Sequence, residues 1–192
     1  MDKLFLLITG PIAVGKMTVG KAIADLAGYV LFHNHHSIEV AHQLFHWGTT
    51  DFIKVNEGIR ELVFQTALES EEIKGLVFTL VMDFDLKEDW DYLFKIQERF
   101  SGVGWSFKVL ELEASMKSRL LRNKSAYRLD QKRTKRDLLN SESNLLDSEE
   151  QHRMNSRADE RIQDFTWMYI NNEEKTPEEV ASVYSKYTDQ AI

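Results

Sequence analysis

Residues Gly10-Pro11-Ile12-Ala13-Val14-Gly15-Lys16-Met17-Thr18 place two glycines with four residues between them and follow the second with a lysine. That spacing suits one task, the cradling of a phosphate chain. Glycines let the backbone curl until its amide N–H groups face inward, and a helix starting there adds its positive end. Lys16 then meets the outer phosphates as a point charge. Gly10, Ala13, Val14, Gly15, Lys16, Met17 and Thr18 are therefore expected to hold ATP. The residue after such a lysine is normally Ser or Thr, whose hydroxyl binds Mg2+. Met17 offers a soft thioether, and the hydroxyl comes one residue later, at Thr18, near a phosphate oxygen. A magnesium ion held mostly through water follows.

Other candidates are scattered along the chain. Residues 117–136 carry nine basic side chains against the single acid Asp130, a local excess of +8 in a chain of net charge −7, so the remainder carries −15. An arginine-rich island on an acidic protein reads as a clamp for a small anion, and the acidic remainder argues against a nucleic-acid partner. Arg119, Arg122 and Arg128 are its lid candidates, with Arg133 and Arg136 secondary. Asp83 is the candidate for holding magnesium through water. Asp85 is its alternative, or else the cap of a helix starting near Lys87. His33 and His35 sit with Asn34 and His36 at a strand end, where they would contact the acceptor, supply a base or bind metal. As a base, His33 would lose activity on protonation below about 6.5. His42 and His46, four apart on a helix, permit a metal pair but lack the glutamate of a zinc-protease pattern. Arg60 would either bind an anionic acceptor or pair with Glu57 or Glu61.

These groups need elements to position them. Leu4–Ile8 is a short apolar run read as a strand. Val19, Ile23, Leu26 and Ala27 share one face of the helix after the loop. A second strand is expected at Tyr29–Phe32 and a short helix capped by Ser37 that buries Ile38, Ala41, Leu44 and Phe45. A longer helix at 51–70 would use Val55, Ile59, Leu62, Val63 and Leu68. The unbroken run Leu76–Met82 fits a central strand covered on both faces. A helix over 87–100, a strand over 105–112, a helix from Ser115 into the basic island and a polar helix over 135–150 follow. A connector at 151–164, a strand at 166–170 and a helix opened by Thr176-Pro177 complete the chain. Alternating strands and helices imply a parallel sheet with ligands gathered at the strands' C-terminal ends.

The chain has 192 residues and no cysteine, so disulfides and thiolate metal sites are excluded. The apolar run is too short for a signal peptide or a membrane span, and a cytoplasmic protein with no membrane partner is expected. The four tryptophans read as core or pocket walls, since none lies in the basic island.

In order of its motifs the chain resembles the adenylate kinase-like branch of P-loop kinases. That branch includes nucleoside monophosphate kinases, shikimate kinase, chloramphenicol phosphotransferase and the tunicamycin-resistance protein. Pieces such as Gly10-Pro11, Phe32-His33-Asn34-His35, Arg122-Asn123, Arg128-Leu129, Lys135-Arg136-Asp137 and Pro177-Glu178-Glu179 are similar to those of small bacterial P-loop ATPases labelled kinase-like. The resemblance implies one three-layer α/β domain over residues 1–192 with a five-stranded parallel sheet. It also implies substrate-binding helices at about 34–72 and an arginine-rich helical lid at about 117–140. By resemblance Arg119 would lie over the adenine, while Arg122 and Arg128 close on the phosphates with Lys16 and Asp83 as their catalytic companions. Phosphoryl transfer from ATP to a small acceptor is the activity implied. The alternative is an ATP-binding resistance or regulatory protein that sequesters a ligand with little transfer. Shikimate kinase-like chains carry an Asp pair where this chain has His33-Asn34-His35, which argues against shikimate.

Overall fold

Strand β1 (Leu4–Thr9) is buried over its whole length, and the computed structural model is built outward from it. The structure describes residues 3–162 and 165–189. Gln163 and Asp164, the end of the expected connector, lie outside the described residues. Among these residues five strands form one parallel sheet in the order β2-β3-β1-β4-β5. Strand β2 is Val30–His33, β3 Gly75–Thr79, β4 Ser106–Glu113 and β5 Thr166–Asn171. Leu4 pairs with Gly75 of β3 on one side and with Ser106 of β4 on the other.

Side chains alternate across a strand, so β1 feeds two cores. Leu4, Leu6 and Ile8 enter one layer with α1 (Lys16–Ala27) and α8 (Pro177–Asp189), through Val19, Ile23, Val180 and Tyr184. Phe5 and Leu7 enter the other with α3 (Thr50–Glu69) and α4 (Lys87–Ser101), through Phe64, Leu93 and Phe100. Aromatic contacts dominate that second layer: the Phe5 ring lies 4.2 Å from Phe100 and 5.5 Å from Phe107, stacked on the latter. The three-layer α/β sandwich of a P-loop NTPase-like fold results.

Several local expectations change. The buried stripe of α1 runs through Val19, Gly20, Ile23 and Ala24, and leaves Leu26 and Ala27 exposed. Gly20 explains this: a Cβ there would stand 3.0 Å from Leu31, so α1 approaches the sheet along its glycine. Helix α2 (His35–Leu44) starts before Ser37, whose hydroxyl donates to the Asn34 carbonyl inside the first turn, and its Leu44 is exposed. Helix α3 buries Phe52, Asn56, Phe64 and Ala67 and exposes Leu62. Strand β3 stops at Thr79 instead of Met82. Its neighbour β1 turns into the glycine loop there, and after Thr79 a bond from Leu80 N–H to the Ile8 carbonyl closes the ladder.

The basic island forms no single helix. Ser115, Ser125 and Asp137 each accept a backbone N–H with the side chain and start a separate element: α5 (Met116–Asn123), α6 (Ala126–Gln131) and α7 (Leu138–Gln151). A 3-10 turn at Arg133–Lys135 joins α6 to α7. Among the described residues no helix is long and apolar enough to cross a membrane.

Candidate active site

Between β1 and α1 the backbone makes the turn that the glycines permit. Gly10 has φ 129° and Gly15 φ 109°. A Cβ on Gly10 would stand 2.3 Å from the Leu112 carbonyl oxygen, so the first position admits no side chain. Ala13 also adopts a positive φ of 63°, a conformation that costs an L-residue free energy and that its type does not announce. Lys16 Nζ donates to the carbonyls of Gly10 (2.5 Å) and Pro11 (2.8 Å). Its surface is partly open to the cavity above, yet protein surrounds it. That burial, then the charges of Lys132, Arg128 and Arg119, pushes its pKa well below the ordinary lysine value. The Thr18 hydroxyl donates to the Gly15 carbonyl at 2.8 Å, and Met17 is buried.

Above the loop lies a cavity of about 890 Å³. It spans the sheet from one edge to the other. Asn172, Lys175 and Pro177, after β5, form one end; Asn34, His35, His42 and Trp47, after β2, form the other. Arg128, Lys132 and Lys135 of the lid also line it. No aspartate or glutamate is among the described residues lining this cavity. Burial, followed by the charges of Arg128 and Lys135, lowers Lys132 to about 7; burial lowers Arg128 to about 10. Cations are thus crowded together without anionic partners on the cavity wall.

The three lid arginines have different settings. Arg122 donates to the carbonyls of Val14 (2.9 Å), Asn172 (2.8 Å) and Glu173 (3.2 Å) and ties the glycine loop to the β5–α8 turn. Asn172 Nδ2 adds a second bond to the Val14 carbonyl. Glu173 accepts from Ser115 and Ser118, so the start of α5 is bolted to the same turn. Arg119 is only 2% exposed, pairs with Glu149 at 2.7 Å and does not line the cavity. Arg128 lines the cavity, and its buried Nε has no hydrogen-bond partner.

Around α2 the histidines divide similarly. His35 faces the cavity and His33 lies beneath it, 4% exposed, with its ring 3.6 Å from that of His36. Burial above all lowers both His33 and His35 to about 3, so both rings are neutral from pH 5 to 8. The expected loss of a His33 base below about 6.5 is corrected by that burial. Arg60 bonds the Asn34 side chain and stands over the Phe78 ring; it does not line the cavity and pairs with neither Glu57 nor Glu61. Glu39, which sequence reasoning passed over, accepts from Thr134 N–H (3.2 Å) and hydroxyl (2.6 Å) and joins α2 to the lid. Burial alone would raise its pKa, but hydrogen bonds from His35 and Thr134 outweigh that and hold it at about 2.

Asp83 is also committed. Its Oδ2 lies 2.7 Å from His152 Nδ1, and Oδ1 accepts the Asp85 N–H at 2.9 Å. His152 lines the cavity and Asp83 does not. Asp85 pairs with Arg153 at 2.7 Å and caps nothing; Leu86 precedes α4, and Asp89 accepts the Asp83 N–H. Among the described residues no group of three His, Asp or Glu side chains could hold a metal ion. With the Thr18 hydroxyl on a carbonyl and a thioether at Met17, this loop would meet magnesium only through water and phosphate oxygens.

No family model matches the chain, and no curated protein matches it. Solved structures do. A kinase candidate from Chloroflexus aurantiacus superimposes with TM-score 0.61 at 16% identity, covering 100% of both chains. Shikimate kinase from Acinetobacter baumannii, in complex with shikimate, gives 0.58 at 17%, over 98% of this chain and 94% of that one. The tunicamycin resistance protein of Deinococcus radiodurans gives 0.54 at 16%, over 97% and 96%. At identities this low the superpositions show a shared fold.

Proposed function

We propose that the protein binds ATP in the β1–α1 loop and transfers its γ-phosphoryl group to a hydroxyl or phosphate of a small acceptor seated against α2. One observation carries the reading: Lys16 is an enclosed ammonium held by loop carbonyls, with Arg128, Lys132 and Lys135 also bordering the cavity and no carboxylate on its wall. Only a polyanion answers that electrostatic demand. The acceptor oxygen would attack the γ-phosphorus as its bond to the β–γ bridging oxygen breaks, ADP leaves with that electron pair, and the proton of a hydroxyl acceptor passes to water. Lys16 and the loop amides would bear the charge on one side of the phosphoryl group, Arg128 and Lys132 on the other. Magnesium entering with the nucleotide would supply further charge neutralisation. The shared fold with small-molecule kinases supports this reading.

A second reading, an ATP-binding protein that sequesters a ligand with little transfer, is favoured by one feature, the engagement of Asp83 by His152 away from the cavity. ATP labelled in its γ-phosphate, incubated with a panel of hydroxyl-bearing acceptors, separates the two. Label on an acceptor supports transfer; label only in free phosphate, or retained in ATP, supports the second. ATP that fails to bind at all would end both.

A further inference from the structure

The end of the cavity beside β2 is unlike a polyol site. Carboxylates are the strongest acceptors for vicinal hydroxyls, and the described residues lining the cavity include no carboxylate, only weaker acceptors such as Asn34, Thr79 and Thr134. The wall offers Ile38, His42 and Trp47 instead. Trp47 rests against the buried Phe52 at 4.7 Å between ring centroids, yet is 63% exposed. A large aromatic held by a buried neighbour and open to a cavity is a stacking surface in want of a partner. The same cavity is lined by Lys132 and Lys135, whose charges both act on His35 at the start of α2. His35 itself is neutral, with its Nδ1 3.5 Å from the Glu39 carboxylate.

We infer that the acceptor is a small molecule with a flat aromatic or heteroaromatic ring and one acidic group, the ring stacked at Trp47 and the anion between Lys132 and Lys135. Glu39 acts on both lysines and offsets part of their charge, but its carboxylate is engaged by Thr134 and it does not line the cavity. A phosphate or a carboxylate could serve as the acidic group. The inference rests on the phosphotransferase reading above and specifies its acceptor.

Binding can be read without turnover, by calorimetry on the full chain saturated with ADP, so that probes cannot occupy the nucleotide end. Three probes suffice: a pyrimidine nucleoside 5′-monophosphate, 4-hydroxybenzoate and gluconate. At least one ring-bearing anion should bind 10-fold or more tightly than gluconate, and which one does so identifies the acidic group. Trp47→Leu should weaken that probe at least 10-fold and leave the affinity for ADP unchanged. Gluconate binding as tightly as both ring compounds, no ring compound binding, or a Trp47→Leu protein that retains full affinity would overturn the inference. ADP binding is measured first in the same series, and its failure would instead remove the nucleotide reading. The ring probes are repeated on nucleotide-free protein, where they test the Trp47 wall by the same criteria.

Discussion

The two ends of the cavity are built in different ways. At the glycine loop the geometry belongs to the main chain: positive φ angles at Gly10, Ala13 and Gly15, and carbonyls that steady Lys16. At α2 the geometry belongs to side chains, with His35, His42 and Trp47 carried on a short helix and the loop after it. A phosphate is the same in every nucleotide, so a backbone mould suits it. An acceptor differs from enzyme to enzyme, and side chains on surface helices can change without disturbing the sheet. The fold therefore speaks for the first end, and only this chain's own residues speak for the second.

The sharpest test of that division pairs two changes in the loop. Gly10→Ala meets the Leu112 carbonyl and an unfavourable φ, and should cost on the order of 3 kcal/mol in denaturant unfolding. Lys16→Met should lower kcat/KM on the order of 100-fold or more and at the same time raise Tm, since it removes a buried, crowded charge. If both variants lost stability equally, the loop would be a structural turn with an incidental lysine.

The arginines give the next contrast. Arg122→Ala should cost roughly 2 kcal/mol of stability, because three carbonyls lose a charged donor, and ATP affinity should fall with it. Arg128→Ala should leave stability and ATP affinity nearly intact while kcat falls on the order of 100-fold. Equal losses of affinity and kcat in Arg128→Ala would mark it as a ground-state contact like Arg122.

Smaller effects come from protons. Lys132, lowered to about 7, is mostly neutral at pH 8 in the free protein, and a bound polyanion favours its charged form. ATP binding at pH 8 should therefore take up protons, seen as a buffer-dependent calorimetric enthalpy, and Lys132→Met should reduce the uptake by about one proton. An unchanged uptake would place Lys132 away from the phosphates. At the α2 end, unfolded His33 and His35 bind protons below 6.5, while the folded protein resists until about 3. The unfolded state thus holds more protons across that window, and stability falls as pH drops through it. Tm measured from pH 7 to 4 should fall less steeply in His33→Gln/His35→Gln, and a slope equal to the parent's would show that other groups govern acid unfolding.

Much of the loop end was legible because its causes are local. Two glycines, a lysine and an apolar strand state their geometry within about a dozen residues, and Ser115 announces a helix start in the same way. The caps Ser125 and Asp137 instead divide the basic island where one continuing helix is expected. Helix faces were less legible. Leu26, Leu44 and Leu62 fit an apolar stripe, but helical phase is set by what the sheet accepts, as Gly20 shows. The partner of Asp83 could not be read either, since His152 lies 69 residues away in a polar connector with no motif of its own.

From its sequence alone this protein declares a glycine-bounded loop between strand and helix, an alternating strand-helix order and an isolated basic island, since short-range sterics and charge spacing act within a few residues. Tertiary structure decided which basic residues face the cavity above that loop. Arg119 and Arg122 are one helical turn apart, yet one pairs with Glu149 and the other bridges to the Val14 carbonyl 108 residues away. It also brought Glu39 of α2 to Thr134, 95 residues on, and left the cavity wall without a carboxylate. Packing supplies those neighbours, and a cation is free to meet a ligand only where packing gives it no other partner.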